Sequence, residues 1–336
     1  MNTNPRAPIA LMTCESGRNF AQTVADHMGL PLVPTEETWF ACGEGKLAIN
    51  ANVRGHDVYI FQSVIGSQDE LTVYDRFVML LHAVEAAALS DAQYVTAIIP
   101  YYPGARQDKR KGRTREGISA GLFARMLQSA GANRVMAVEI HNDAIAGMFN
   151  PSFTHLENVF LTRHLTEWLV AKGLVGDVVV SPDVGYLERA RAYAEELSAD
   201  LAALSKERDY SKPNQVFRST LIGEVQGQSI LLVDDIVDSA GSVVAAVEEL
   251  KTRGAANIVV ACVHPILSEP AWQRLTALKE RSVKEGWRFN FVGTSTVEHQ
   301  NTPDWYHTFH IGRLVATIVQ KINSRGSVRQ VQQDRE

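Results

Sequence analysis

Residues 231 to 242, LLVDDIVDSAGS, carry an apolar run into two adjacent carboxylates, Asp234 and Asp235, and then into a turn of small residues, Asp238, Ser239, Ala240, Gly241 and Ser242. A helical pattern follows and closes at Gly254. A small-residue turn that opens a helix aims backbone N–H groups and the positive end of the helix dipole at one point, an arrangement that cradles phosphate. The hydroxyls of Ser239 and Ser242 add donors. Ionised carboxylates only accept hydrogen bonds, so a neighbouring pair suits the vicinal hydroxyls of a sugar. The combination reads as a site for a phosphorylated ribose. A local alternative stays open, in which Asp238 or Ser239 caps the helix and the two aspartates merely end the strand.

Other chemistry-bearing groups are spread along the chain. The window from Arg106 to Arg115 holds six basic residues, Arg106, Lys109, Arg110, Lys111, Arg113 and Arg115, against the single acid Asp108. Aromatic interleaving stops at Tyr101 and Tyr102 and the whole chain carries a net charge of −5, so a nucleoside triphosphate fits this cluster better than a nucleic acid. His141 and Asp183 each follow an apolar run; Asp183 is a hard oxygen donor of the kind Mg²⁺ takes, or a cap for the next helix. The polar, proline-containing stretch SKERDYSKPNQV, 205 to 216, reads as a mobile loop carrying Lys206 and Arg208.

The elements that must position these groups read as βα units. The amino terminus reads as a first strand, and strands are expected at 57 to 62, 94 to 100, 133 to 140, 177 to 182, 229 to 234 and 257 to 264. Helical periods lie between them, with Tyr74, Phe77, Val78 and Leu81 on one face and Ile118, Leu122 and Met126 on another. Continuous apolar strands imply parallel sheets covered on both sides, with ligands at the carboxyl ends. At 336 residues the chain suits two α/β domains. TAIIPYYPGAR (96 to 106) and VVVSPDVGYLERAR (178 to 191) echo one another, consistent with two similar halves. The crossing is expected near NPSFTHLENVFLT, giving domains 1–155 and 156–323 and a frayed polar tail, 324–336. No apolar run approaches a membrane span, and three dispersed cysteines, Cys14, Cys42 and Cys262, fit a reducing cytoplasm.

The turn at 231 to 242 resembles the ribose 5-phosphate loop of phosphoribosyltransferases, and most of all that of ribose-phosphate pyrophosphokinases. NVRGHDVYIFQS, IPYYPGARQDKR, REGISAGLFARMLQSAGANRV, EIHND, SPDVG, SKERDYSKPNQV and VHPILS recur in the family's order between about residues 14 and 322. The resemblance implies two tandem phosphoribosyltransferase-type α/β domains, mainly parallel sheets flanked by helices, in a homo-oligomer that is usually a hexamer. It implies attack by the anomeric hydroxyl of ribose 5-phosphate on the β-phosphorus of Mg-ATP, giving phosphoribosyl pyrophosphate and AMP. By the same resemblance Lys206 and Arg208 are catalytic cations, and Arg106, Gln107, Lys109 and His141 contact ATP. Phe40 and Glu44 hold adenine from a neighbouring subunit, His141 and Asp183 attend Mg²⁺, and Asp234, Asp235 and Asp238 to Ser242 bind ribose 5-phosphate. Neither nucleic acid nor membrane is expected as a partner.

The chain departs from the family pattern at several points. Cys42 stands where Asp is usual, Tyr186 replaces a Gly, Ala240 and Ser242 replace Gly and Thr, Glu139 replaces Asp, and Glu207 separates the two catalytic cations. A ring at Tyr186 is expected to crowd backbone that approaches pyrophosphate. These changes keep two alternatives in view, a related pyrophosphokinase with another ribosyl phosphate acceptor and a non-catalytic regulatory paralogue. A salvage phosphoribosyltransferase fits the opening turn but not the ATP segment.

Overall fold

The computed structural model describes all residues except 1–4, 66–70, 111, 113, 209–215 and 334–336, and does not describe the side chains of 206–208 and 216–219. Among the described residues the chain forms two compact units, one from the residues up to Phe160 with Thr296–Glu298 and 310–333, the other from Leu161–Ser295 and His299–Phe309.

In the first unit, among the described residues, β1 (Ile9–Thr13), β4 (Asp57–Phe61), β5 (Tyr94–Ile98), β6 (Arg134–Val138) and β7 (His155–Val159) form a parallel sheet in that order. All five residues of β4 are buried, as expected for a strand covered on both faces. A hairpin, β2 (Thr35–Trp39) with β3 (Gly45–Ile49), stands apart as a two-stranded sheet. Helices α1 (Arg18–Met28), α2 (Val73–Leu89) and α3 (Ser119–Ser129) complete the crossovers. A capping box starts α2: the Thr72 hydroxyl accepts from the Asp75 N–H at 3.2 Å and the Asp75 carboxylate accepts from the Thr72 N–H at 2.8 Å.

The buried stripe of α2 is Phe77, Leu80, Ala83, Val84 and Ala87, and that of α3 is Ala120, Phe123, Ala124 and Leu127. Of the faces expected from sequence, Tyr74, Val78, Ile118 and Leu122 lie exposed. Phe77 of the expected face is buried, and the alanines share the buried stripe with it, so the sheet-facing side is turned away from Tyr74 and Val78.

The second unit, among the described residues, holds β8 (Val178–Ser181), β9 (Asp200–Arg208), β10 (Val216–Ile222), β11 (Ser229–Val237), β12 (Asn257–Pro265), β13 (Phe289–Thr294) and β14 (Tyr306–Phe309) in the order β10-β9-β8-β11-β12-β13-β14. Only the β9–β10 pairing is antiparallel. Its helices are α4 (Thr162–Lys172), α5 (Leu187–Leu197), α6 (Gly241–Thr252) and α7 (Ala271–Lys284). Beyond β8 the chain steps outward to β9 and β10, and beyond β11 it steps the other way to β12, so strand order reverses between β8 and β11. Such a reversal opens a crevice at the carboxyl ends of the two strands.

Helix α8 (Gly312–Asn323) differs from the expected division at 156–323, since it packs on α1 in the first unit. At its end the Asn323 amide donates to the Ala7 carbonyl and to the Asp57 carboxylate, each at 2.9 Å, and Asp57 also binds Arg6 at 2.8 Å and the Tyr59 hydroxyl at 2.7 Å. The expected frayed tail contains α9 (Val328–Gln333), which buries Val328 and Val331. Two apolar residues three apart are enough to seat one short face.

Candidate functional site

Strand β11 runs to Val237, three residues beyond the end expected at 234, so Asp234 and Asp235 lie inside the strand rather than after it. Asp235 is 9% exposed, and the Asp234 Oδ1 accepts from the Asp235 N–H at 3.0 Å. Burial first, then the charges of Asp235 and Asp183, hold the Asp234 carboxyl well above the usual carboxylate range. The same burial and the same two aspartates on β11 keep the Cys262 thiol of β12 protonated.

Neither Asp238 nor Ser239 occupies the N-cap of α6. That position is Ala240, at φ 59° and ψ 3°, with no side-chain hydrogen bond to the helix start. The left-handed conformation costs an alanine about 1 kcal/mol, which explains why glycine is usual there. The Ser239 carbonyl accepts from Arg274 Nη1 of α7 at 2.8 Å, and a Cβ at Gly241 would stand 3.3 Å from the same nitrogen. Nothing in the sequence near the turn signals Arg274, which arrives from the next helix.

Asp183 follows β8, whose pairing with β11 brings the two carboxyl ends side by side. Its Oδ1 accepts from the Tyr186 N–H at 3.0 Å, capping the 3-10 turn Val184–Tyr186. Tyr186 has φ −97° and is buried, so the backbone there takes any residue without strain. The expected loop at 205–216 is replaced in part by a β ribbon. Backbone positions 206 and 208 extend β9 and pair with Ser219 and Val216 of β10, while the side chains of Lys206, Glu207 and Arg208 and residues 209–215 lie outside the described part.

The first unit gathers the expected ATP residues at the carboxyl ends of β5 and β6. After β5 the chain turns at Gly104, where φ is +71° and an added Cβ would stand 2.9 Å from the Ser119 Cβ, which leaves no room for a side chain. Gln107 is tied to the start of α3: its Oε1 accepts from the Ser119 hydroxyl at 2.5 Å and its carbonyl from the Ala120 N–H at 3.3 Å. Asp108 accepts from the Asn142 amide, which links the loop bearing Arg106, Gln107 and Lys109 to the loop bearing His141. His141 and Arg106 are exposed. Between β6 and His141, Glu139 is buried in a left-handed conformation, φ 35°. The Arg110 Nε donates to the Glu116 carbonyl at 3.1 Å, so part of the basic window braces its own loop, while Lys111 and Arg113 lie outside the described residues.

Phe40 and Glu44 close the turn of the β2–β3 hairpin, with the Phe40 N–H donating to the Glu44 carbonyl at 2.8 Å. Phe40 is 48% exposed and Lys46 Nζ lies 5.7 Å from its ring centroid, so it does not pack in the core. Cys42 is exposed at the tip.

The structure thus gathers Asp183, Asp234, Asp235 and the 238–242 turn in the second unit, and Arg106, Gln107, Lys109 and His141 in the first, with Phe40 and Glu44 on a separate hairpin. Among the described residues no group of three His, Cys, Asp or Glu side chains forms a metal cage. Burial and the neighbouring aspartates that raise Asp234 also mark a place where added positive charge is favourable.

The model of the N-terminal domain of ribose phosphate pyrophosphokinase matches residues 9–131, and that of the phosphoribosyl transferase domain matches residues 153–298. A ribose-phosphate pyrophosphokinase of Halalkalibacterium halodurans is 33% identical over 95% of this chain and 96% of its own length. One of Chlorobaculum tepidum is 37% identical over 96% of this chain and 94% of its own. A crystal structure of phosphoribosylpyrophosphate synthetase from Mycobacterium smegmatis superposes with a TM-score of 0.83 at 29% identity, covering 95% of this chain and all of the other.

Proposed function

The chain belongs to the ribose-phosphate pyrophosphokinase family, and on that premise we propose that it transfers the β,γ-pyrophosphoryl group of ATP to the anomeric hydroxyl of ribose 5-phosphate. The products are phosphoribosyl pyrophosphate and AMP. The observation that carries this reading is the join between β11 and α6, where two carboxylates run into a helix start without a side-chain cap, at the point where strand order reverses.

Asp234 and Asp235 accept from the vicinal ribose hydroxyls, and the N–H groups of the 238–242 turn hold the 5-phosphate against the start of α6. With both ends of the sugar fixed, the anomeric oxygen is restricted to a single approach, which removes orientational entropy from the step. Arg106, Gln107 and Lys109 orient the polyphosphate, and Phe40 and Glu44 of a neighbouring subunit hold the adenine. Lys206 and Arg208 place positive charge over the group in flight, where stabilisation of the transition state is strongest. By the family resemblance Asp183 and His141 would each attend Mg²⁺, which would supply neutralisation of polyphosphate charge.

The exposed Tyr74, Val78 and Leu122 of α2 and α3, at 62, 44 and 47%, support a homo-oligomer, a hexamer on the family pattern. Three free cysteines support a reducing cytoplasm as its setting. Purified protein given ATP, Mg²⁺ and ribose 5-phosphate should release AMP and phosphoribosyl pyrophosphate in equal amounts. Folded protein that binds both substrates and forms neither product would overturn the reading.

A further inference from the structure

An anion cradle made of backbone works only if N–H groups point in and carbonyls point out, so the carbonyls of the turn must be accounted for. The Val237 carbonyl accepts from the Leu267 N–H at 3.1 Å, and the Ala240 carbonyl accepts from the Val244 N–H at 3.0 Å as the first bond of α6. The Ser239 carbonyl lies at an exposed residue that water could serve, yet it is held at 2.8 Å by the Arg274 guanidinium. Among the described residues no carboxylate pairs with Arg274. Its guanidinium stands beside the turn, 3.3 Å from where a Cβ on Gly241 would stand.

A trans peptide sets its C=O and N–H in opposite directions. Pinning the Ser239 carbonyl toward α7 therefore turns the Ala240 N–H the other way, and Ala240 is the residue held left-handed at φ 59°. A left-handed residue followed by a helical one is a backbone arrangement whose successive N–H groups make an anion-binding concavity. We propose that Arg274 is a positioning residue for the sugar phosphate: it holds the 239–240 peptide plane in the orientation that aims its N–H into the cradle, and adds positive charge nearby. This rests on the reading of 234–242 as the ribose 5-phosphate site.

Calorimetric titration of ribose 5-phosphate into the full chain, with ATP titrated separately, tests it. Arg274→Ala should weaken ribose 5-phosphate binding roughly tenfold, the scale of a lost hydrogen bond from a charged donor, with ATP affinity and melting temperature unchanged. Arg274→Lys, which keeps the charge and a donor but not the fork, should fall between, and it carries the test if the alanine variant does not fold. Wild-type affinity in both variants, or equal losses for the sugar phosphate and ATP with a lowered melting temperature, would overturn the role of Arg274 alone. Failure of the wild-type chain to bind ribose 5-phosphate would instead remove the site beneath it.

Discussion

The first sheet adds its strands in one direction, β1, β4, β5, β6, β7, whereas the second reverses between β8 and β11. That difference sorts the chemistry. At the reversal, the carboxylates of Asp234 and Asp235 and the start of α6 stand at a crevice set by the sheet itself, the place where the proposed reading seats the sugar phosphate. Without a reversal, the first unit builds its cluster from exposed loops held together by side chains, Ser119 on Gln107 and Asn142 on Asp108. A loop-built cationic surface suits a long, flexible polyphosphate better than a compact sugar.

If this division holds, substitutions in the two units should separate cleanly. The largest effect belongs to the ribbon of the second unit: Lys206→Ala should lower turnover by about 10³-fold, the low end for a cation lost from phosphoryl transfer, in a steady-state assay with both substrates saturating. Full turnover in that variant would remove catalysis from β9. Next, Arg106→Ala should raise the KM for ATP roughly 30-fold, about 2 kcal/mol for a lost charged hydrogen bond, while the KM for ribose 5-phosphate stays put. Movement of both constants together would merge the two sites that the sheets separate.

A smaller effect concerns stability. The Asp234 carboxyl is raised in the folded chain above its unfolded value, so the stability it contributes is present in acid and is lost as pH rises through the raised value. Asp234→Asn removes that loss. The melting temperature of the ligand-free variant relative to wild type should therefore climb with pH, while its ribose 5-phosphate KM rises roughly tenfold through the lost acceptor. A melting difference independent of pH would show that burial and its neighbours do not raise the Asp234 carboxyl. The smallest effect is expected at the turn, where Ala240→Gly should relieve the left-handed strain and stabilise by up to about 1 kcal/mol, read in urea unfolding. Destabilisation there would mean that the alanine methyl packs better than its backbone strains.

Much of this was legible in the residues. β4, β5, β6, β8, β11 and β12 announce themselves because burial on both faces demands unbroken apolar runs. The hairpin sequences TEETW and GKLAI and the edge strand HLENV do not, because strands that are only part-buried keep polar residues and lose the signal. The helix faces were legible in part: Phe77 is buried and Leu81 and Met126 pack against the core, but Ala83, Ala87, Ala120 and Ala124, which share the buried stripes, are too small to mark a face by periodicity. In the site, Asp234, Asp235 and the turn are contiguous and could be read directly. Arg274 and the Asn142–Asp108 link join residues 35 and 34 positions apart, and local sequence carries no mark of such partners.

The return of α8 to the first unit sets the order of events during synthesis. Asp57 waits 266 residues for the Asn323 amide that completes its shell. The amino-terminal unit emerges first from the ribosome, yet it lacks a covering helix until the second has been made in full. At about 5–20 residues per second, that leaves the α1 surface uncovered for tens of seconds, an interval in which chaperone binding would matter more for the half made first than for the half made last.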